Sequence, residues 1–271
     1  MRPADFDYIC NYVRTQAAIV IEPGKEYLVE SRLLPIARKQ NFESLDALVD
    51  NLRANPRSEL HKQVVDAMTT NETSFFRDLH PFEALKKYIL PELLVSNAAS
   101  RQVNLWCGAA STGQECCSVL MTIAESAPQL LLWKIQFLAT DLSKEVLSQA
   151  AAGKYSQLEV NRGLPAPLMV KYFKRQDDHW VFDESLRKRI SFCEMNLVKD
   201  WLPMPNLDIV FLRNVLIYFD VDTKKAILSK VRRALRPGGY LFLGGAETTL
   251  GLDDGFERVV FDRATCYRRK P

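Results

Sequence analysis

The sequence has few of the residues that build metal sites or nucleophilic active sites. Its three histidines stand far apart, at His61, His80 and His179. Its six cysteines include no C-x-x-C pair, although Cys116 and Cys117 are neighbours. Scattered thiols of this kind are typical of small buried side chains rather than of zinc ligands. The sequence therefore predicts no metal site and no Ser-His or Cys-His catalytic pair.

Long apolar runs and a strong net charge are also absent. No stretch approaches the ~18 consecutive apolar residues of a membrane helix. The first residues, MRPADFDYICNYVRTQ, are too polar and charged for a signal peptide. A formal net charge of +3 over 271 residues gives no reason to expect a nucleic-acid partner. We expect a cytoplasmic, monomeric protein that does not insert into a membrane.

The N-terminal part of the chain predicts helices and no strand. Apolar residues recur at three- and four-residue spacing in DFDYICNYVRTQ and SLDALVDNLRAN. Asp5 and Ser44 precede these patterns and are candidate N-caps. A third helical segment, KEYLVESRLLPIARKQ, contains Pro35, which should kink or restart the helix.

Three cations are spaced regularly along that third segment. Lys25, Arg32 and Lys39 stand seven residues apart, so a continuous helix would place them on one face. One explanation is a solvated basic face. The alternative is a docking surface for an acidic partner.

Strands and helices alternate from about Leu85 onward. Strand patterns occur at VNLW (103–106), IQFLAT (135–140), LDIVFL (207–212) and YLFLGG (240–245), and FERVVF and ATCYRR indicate a closing antiparallel edge pair. Helical segments separate the earlier strands, and Gly153 should end one of them. This alternation predicts a doubly wound, mostly parallel sheet. Short β-like runs at about 168–194 predict a small antiparallel insertion.

Two stretches at predicted strand ends indicate a nucleoside site. In NLWCGAASTGQE, Gly108, Ala109 and Gly113 form a turn of small residues that lacks both a G-x-G-x-x-G pattern and a Walker lysine. Such a turn suits a nucleoside whose tail is not phosphate, although tight helix–strand packing explains it equally well. Asp141 ends the second strand, where an acid binds ribose hydroxyls or caps the following helix.

Two more stretches carry unusual polar residues. TTNETSFFRD (69–78) precedes the sheet and contains Arg77, and its alternative role is a helix N-cap with a hydrophobic staple. FLRNVLIYF (211–219) places Arg213 and Asn214 at the carboxyl end of a strand, with Tyr218 about one turn later. It lacks the prolines of the Asn/Asp-Pro-Pro-Tyr/Phe stretch of DNA and RNA amino-methyltransferases.

Together these motifs resemble the chemotaxis-receptor glutamate O-methyltransferases, the CheR family. The resemblance runs from about Asp5 to the C-terminus, and its most specific parts are TTNETSFFRD, GAASTGQE, LATDLS and RNVLIYFD. It implies an α/β fold of the Rossmann-like S-adenosylmethionine-dependent methyltransferase class, with a helical N-terminal domain and linker (1–78), a cofactor-binding domain (79–271) and a small β insertion. It also implies a receptor helical bundle as partner.

The resemblance assigns roles to individual positions. The implied cofactor contacts are Asn71, Thr73, Arg77, Gly108, Ala109, Glu115, Asp141, Asn196, Leu197, Arg213 and Asn214. Asp141 would bind the ribose, and Asn196 with Leu197 would lie near the adenine. Arg77 and Tyr218 match the positions nearest the transferred methyl group. Lys25, Arg32 and Lys39 would then dock the receptor.

One stretch departs from the pattern of some relatives, which hold a peptide at the receptor's C-terminus through a glycine-containing loop. Here KRQDDHW has no glycine and is short, so we expect no peptide tether. Two other functions stay open from the sequence. One is a methyltransferase with a different protein or small-molecule acceptor, and the other is a non-catalytic sensor of S-adenosylmethionine or S-adenosylhomocysteine.

Overall fold

The chain forms two compact units in a computed structural model that describes residues 1–56, 58–201 and 203–271. The first unit contains Met1–Thr70 and Tyr218–Thr223, and the second contains Asn71–Ile217 and Lys224–Pro271. The sequence assigned the linker up to residue 78 to the helical domain, whereas here it groups with the second unit from Asn71 onward. Among the described residues, no helix combines the length and the apolar character needed to cross a bilayer.

Amphipathic helices build the first unit. They are α1 (Pro3–Ala17), α2 (Glu26–Lys39), α3 (Leu45–Ala54) and α4 (Glu59–Met68). Each helix turns an apolar stripe inward, which is the arrangement that stabilises short helices in water. The buried side chains of this core include Ile9, Val13, Val29, Leu33, Leu48, Leu52 and Val64.

One of the two predicted N-caps is confirmed. Ser44 caps α3, since its hydroxyl oxygen accepts a hydrogen bond from the Ala47 backbone N–H at 3.1 Å. The prediction for Asp5 is wrong, because α1 already begins at Pro3. The Asp5 carboxylate is buried and pairs with Arg2 Nε at 2.6 Å and Arg53 Nη1 at 2.8 Å. It therefore joins α1 to α3 instead of capping a helix.

Of the two outcomes predicted at Pro35, a kink or a restart of the helix, the restart is wrong. Helix α2 continues through Pro35 to Lys39. Proline removes the hydrogen bond to the carbonyl four residues earlier, that of Ser31. Both Ser31 and Pro35 lie on the exposed side of α2, so water can solvate that carbonyl. The position of the proline on the helix surface explains why the helix is not interrupted.

The second unit has alternating helices and strands. Its helices are α5 (His80–Ala84), α6 (Leu90–Ser96), α7 (Gln114–Ser126), α8 (Lys144–Ala152), α9 (Gln157–Asn161), α10 (Ala166–Tyr172), α11 (Glu184–Arg187) and α12 (Val221–Ala234, whose first turn groups with the first unit). Its strands are β1 (Gln102–Gly108), β2 (Lys134–Asp141), β3 (Lys154–Ser156), β4 (Phe173–Gln176), β5 (His179–Phe182), β6 (Ile190–Glu194), β7 (Leu207–Phe211), β8 (Leu235–Phe242), β9 (Phe256–Phe261) and β10 (Ala264–Arg269).

The larger sheet has the predicted class. Its strand order is β6-β2-β1-β7-β8-β10-β9. Strands β6, β2, β1, β7 and β8 pair in parallel, and β10 pairs antiparallel with both β8 and β9. Order reverses between β1 and β7, and ligands of open α/β sheets bind beyond the carboxyl ends of the strands at such a point. The sheet therefore presents the ends of β1, β2 and β7 to a common site.

The small antiparallel sheet differs from the predicted insertion in its limits. Its order is β3-β5-β4, so it begins at Lys154, well before the predicted start at about 168. Strand β6, which the prediction included in the insertion, instead pairs in parallel with β2 at the edge of the larger sheet. A strand of three residues carries too little periodicity to be recognised from sequence.

Candidate functional site

The turn between β1 and α7 is compact and conformationally strained. Ala109 and Ser111 have φ angles of 55° and 51°, a region that costs non-glycine residues free energy. Both glycines have packing reasons: a Cβ at Gly108 would lie 2.8 Å from Leu212 Cδ1, and one at Gly113 would lie 2.9 Å from Ala150 Cβ. Tight packing thus accounts for the glycines, and the contact of Gly108 and Ala109 with a cofactor stays a prediction.

Asp141 ties this turn to the end of the neighbouring strand. Its Oδ2 accepts a hydrogen bond from the Ser111 N–H at 2.8 Å, and its Oδ1 accepts one from the Ser143 N–H at 3.1 Å. Ser143 rather than Asp141 is the N-cap of α8. Burial raises the pKa of the Asp141 carboxyl, and the backbone N–H groups only partly oppose this shift. A carboxylate has about four acceptor positions, so Asp141 retains capacity for further donors.

The linker from Asn71 to Asp78 is held on the second unit at several points. The Asn71 carbonyl accepts a hydrogen bond from Ser111 Oγ at 2.8 Å, and the Phe76 N–H donates to Ser118 Oγ at 2.9 Å. Phe75 is fully buried and packs edge-on against the rings of Tyr155 and Phe173. The alternative of a Thr or Asn N-cap is wrong, because α5 begins after Leu79 without a side-chain cap.

The guanidinium of Arg77 makes few hydrogen bonds with the residues that the structure describes. Its Nη1 donates to the Glu72 carbonyl at 3.1 Å, and the side chain is half-buried. The residues on either side of it, Phe76 and Asp78, have φ angles of 49° and 64°. Strained backbone around an uncommitted cation is typical of functional segments.

Arg213 is the centre of an ionic cluster at the end of β7, in which Arg213 and Glu115 are shielded from solvent and the Asp78 side chain is half exposed. Its guanidinium donates to Glu115 Oε2 at 2.5 Å, to Asp78 Oδ2 at 2.7 Å and to the Arg77 carbonyl at 2.9 Å. Only 1% of the Arg213 side chain is exposed. One cation and two carboxylates give the cluster a formal charge of −1. Arg213 thus joins Glu115 to the main chain of Arg77, and the excess carboxylate of the cluster favours a cationic ligand group nearby.

The main chain after β7 is held by Glu247, which is not among the predicted site residues. Asn214 has a φ angle of 58°, and its N–H donates to Glu247 Oε2 at 2.8 Å. Glu247 lies shortly after β8, which pairs with β7. The acid two residues after Gly-Gly at a strand end was the available signal, but the N–H groups of Asn214, Val215 and Leu216 that it binds lie more than thirty residues away in sequence.

Asn196 and Leu197 follow β6, beside Asp141. The Met195 N–H donates to the Asp141 carbonyl at 2.8 Å, which places this loop at the end of β2. The loop is held by Lys230, whose Nζ donates to the Leu197 and Lys199 carbonyls at 2.6 and 2.8 Å, and by Trp201 Nε1, which donates to the Leu197 carbonyl at 3.1 Å. Burial lowers the pKa of the Lys230 ammonium. Lys230 is not among the predicted site residues, because no local pattern in the sequence marks it.

Thr73 lies half-buried in the linker of the second unit, and the remaining predicted residues belong to the first unit. Tyr218 ends a 3-10 turn, and its carbonyl accepts a hydrogen bond from the Val20 N–H at 3.1 Å. Lys25 is the half-buried N-cap of α2, and Lys39 is exposed in its last turn. Arg32 differs from them, because its guanidinium donates to the Met68 and Thr69 carbonyls at 2.7 and 3.1 Å. Arg32 thus stabilises the end of α4.

Comparisons with known proteins agree with this architecture. The family described as "CheR methyltransferase, all-alpha domain" matches residues 4–69, and "CheR methyltransferase, SAM binding domain" matches residues 71–265. Chemotaxis protein methyltransferase Cher2 of Pseudomonas putida is 39% identical over 270 residues, which cover 98% of each chain. Chemotaxis protein methyltransferase 1 of Pseudomonas aeruginosa is 39% identical over 98% of each chain. Chemotaxis protein methyltransferase 1 of Vibrio cholerae is 37% identical over 96% of this chain and 95% of its own.

Proposed function

The chain belongs to the CheR methyltransferase family, and from this premise we propose that it methylates glutamate side chains of chemoreceptors. Membership makes it an S-adenosylmethionine-dependent protein-glutamate methyltransferase. The receptor as substrate, the residues that act on it and a cytoplasmic site of action are parts of the proposal. The observation that carries it is the ionic cluster of Arg213, Glu115 and Asp78 beside the ends of β1, β2 and β7.

The residues of the second unit fit the cofactor in two chemical respects. The cluster around Arg213 has a formal charge of −1, which suits the ammonium and sulfonium groups at the methionine end. Asp141 retains acceptor capacity beside its backbone hydrogen bonds, which suits the ribose hydroxyls. We infer that Glu115, Arg213 and Asn214 hold the methionine part. Asn71, Thr73, Gly108 and Ala109 border the same site, and Asp141, Asn196 and Leu197 hold the adenosine part.

The reaction needs no proton acceptor on the protein. A glutamate side chain has an ordinary pKa near 4.3 and is ionised at neutral pH. S-adenosylmethionine supplies a methyl group on a sulfonium, so an oxygen–carbon bond forms, the sulfur–carbon bond breaks and its electron pair stays on sulfur. The protein therefore contributes alignment and removal of water. We assign Arg77 to orienting the carboxylate and Tyr218 to donating a hydrogen bond or bordering the site.

The partner in this proposal is an exposed, acidic receptor helical bundle. Lys25 and Lys39 supply positive charge on α2 that complements it. Arg32 contributes charge to the same face while its guanidinium holds the end of α4. Charge complementarity of this kind chiefly raises association rates and is weakened by salt.

We also propose that the small sheet binds no receptor peptide tether. Strands β4 and β5 are joined by a two-residue turn, Asp177–Asp178, in which Asp177 has a φ angle of 51°. A tight hairpin of this kind leaves no extra loop beside the strands to enclose a peptide. Receptors with and without their last residues should therefore be methylated at equal rates.

The test is transfer of a labelled methyl group from S-adenosylmethionine to purified receptor membranes. Label that base releases as methanol identifies a glutamyl methyl ester and supports the proposal. Label that enters only other proteins or small molecules favours a different acceptor. Cofactor binding without transfer to any acceptor favours the sensor function and contradicts the proposal.

A further inference from the structure

One carboxylate in the second unit has an unusual number of backbone donors. Glu247 Oε1 accepts hydrogen bonds from the N–H groups of Val215, Leu216 and Ile217 at 2.9, 2.7 and 3.3 Å. Its Oε2 accepts from the N–H groups of Asn214 and Gly244 at 2.8 and 2.6 Å. A carboxylate with this many donors is committed to the main chain, so it is not available as a base.

These hydrogen bonds fix the path of the chain immediately after β7. Consecutive N–H groups that point at one anion form a concave, rigid turn. Asn214 is thereby held at a φ angle of 58°. Gly244 completes the arrangement, because a Cβ there would lie 2.5 Å from Asn214 Nδ2 and 2.8 Å from the Asn214 nitrogen. The position of Asn214 therefore depends on Glu247 and Gly244 together.

We propose that Glu247 is a positioning residue for the methionine part of S-adenosylmethionine. It acts through Asn214 and the adjacent Arg213, whose guanidinium holds Glu115 and the Arg77 carbonyl. This inference rests on the proposed placement of Arg213 and Asn214 at the methionine end. Glu247 itself touches no reacting atom.

The adenosine half of the site is held by a separate set of contacts. Asp141 bonds to Ser111 and Ser143, and the Met195 N–H donates to the Asp141 carbonyl. The five N–H groups that bond to the Glu247 carboxylate belong to none of these residues. Loss of the Glu247 contacts should therefore weaken ligands that carry the amino acid and spare ligands that lack it.

The experiment compares two ligands by calorimetry on the full chain. S-adenosylhomocysteine carries the amino acid part, and 5′-methylthioadenosine lacks it. Glu247→Gln keeps the shape but turns an amide donor toward backbone donors, so we expect about tenfold or greater loss for S-adenosylhomocysteine and less than about twofold for 5′-methylthioadenosine. Glu257→Gln, the same chemical change on the exposed face of β9, should alter neither affinity.

Each outcome has a distinct meaning. Equal loss for both ligands, or loss for neither, overturns the positioning role, because a merely structural residue would not discriminate between them. Glu247→Asp provides the same comparison if the glutamine variant does not fold, since it keeps the charge and shortens the reach. Failure of the unaltered chain to bind S-adenosylhomocysteine would instead overturn the proposed function itself.

Discussion

Strained residues cluster at the candidate site. Positive φ angles occur at non-glycine residues in three segments of the second unit that border it: Phe76, Asp78, Leu79, Ala109, Ser111 and Asn214. Each such residue costs on the order of 1–3 kcal/mol, which the surrounding contacts must offset. The contacts are present at Ser111, which bonds to Asp141 and Asn71, and at Asn214, which bonds to Glu247.

Arg77→Ala should separate catalysis from folding. Within the part of the chain that the structure describes, the guanidinium donates only to the Glu72 carbonyl, so its loss should change the thermal midpoint little. If it orients the acceptor carboxylate, turnover should fall about a hundredfold. The measurement is initial rate with receptor membranes alongside thermal unfolding. Methylation at the parent rate would remove Arg77 from the mechanism.

Asp141→Asn should change how stability depends on pH. Burial raises the pKa of Asp141, so the folded chain binds this proton more tightly than the unfolded chain. The free energy of unfolding therefore loses a contribution as pH rises from the ordinary aspartate value, near 3.9, through the raised value. The free energy of unfolding of the asparagine variant should not fall in this way over the same pH range. Denaturant unfolding of both proteins across this range measures the difference, and parallel curves would contradict the shift.

The role of a residue could be predicted from sequence where a single local segment contains all of the evidence for it. Asp141 and Arg213 could be placed at strand ends from sequence alone, because an apolar run stops directly before each of them. Glu247 and Lys230 could not, because each acts on main-chain groups about thirty residues away. Backbone carbonyls and N–H groups leave no trace in a sequence, so such partners appear only in the structure.

At the level of elements, sequence reasoning succeeded where a periodic segment is long. The strands β1, β2 and β7, the antiparallel pair β9 and β10, and the stop at Gly153 all agree with prediction, whereas β8 begins at Leu235, five residues before the predicted strand. Prediction failed where solvent exposure or the pairing partner of a strand determines the structure. The exposed position of Pro35 let α2 continue, and β6 joined the larger sheet through pairing with β2. Neither solvent exposure nor strand partners can be read from a local pattern.

Gly163→Ala tests whether the close approach of Gly163 to the Phe75 carbonyl positions the linker. Gly163 has a φ angle of 88°, and an added Cβ would lie 2.1 Å from the Phe75 carbonyl, two residues before Arg77. The linker must shift, so we expect about 1–3 kcal/mol lower stability and reduced turnover. Gly251→Ala is the matched control, since its φ angle is 71° and nothing lies within 4 Å. It should lose only about 1 kcal/mol and keep its activity. Equal effects of the two changes would show that the linker tolerates displacement.

Lys230→Met tests the loop that carries Asn196 and Leu197. The substitution keeps the apolar stem and removes hydrogen bonds to two carbonyls. We expect S-adenosylhomocysteine and 5′-methylthioadenosine to lose affinity together, by about three- to tenfold, because the loop is assigned to adenine. The control is Lys225→Met on the exposed side of α12. Unchanged affinity for both ligands would mean that the loop keeps its position without Lys230.

At the scale of the whole molecule, the residues proposed for cofactor binding and those proposed for receptor docking belong to different compact units. Every residue assigned to the cofactor lies in the second unit, whereas Tyr218 and the docking residues Lys25, Arg32 and Lys39 group with the first. The first unit is not continuous in sequence, because the chain returns to it at Tyr218–Thr223. Tyr218 is thus the one residue proposed for catalysis that groups with the first unit.

Cofactor binding should stabilise the second unit selectively. At a hundred times its dissociation constant, S-adenosylhomocysteine adds about 2.7 kcal/mol to the unit that binds it. Hydrogen exchange with and without ligand should therefore slow for amides of β1, β2 and β7 more than for those of α1 and α3. Equal protection throughout would indicate that both units unfold as one, and protection confined to α1 and α3 would contradict the assigned contacts.

The burial of the cysteines predicts which of them can be labelled with a dye. Cys107, Cys116, Cys117 and Cys266 are buried, while Cys10 in α1 and Cys193 in β6 are partly accessible. Thiolate exposure governs alkylation, so maleimide dyes should react first at those two positions. One belongs to each compact unit. Each unit can therefore be labelled at its own natural cysteine, and the emission of the attached dye would report changes in its immediate surroundings during turnover.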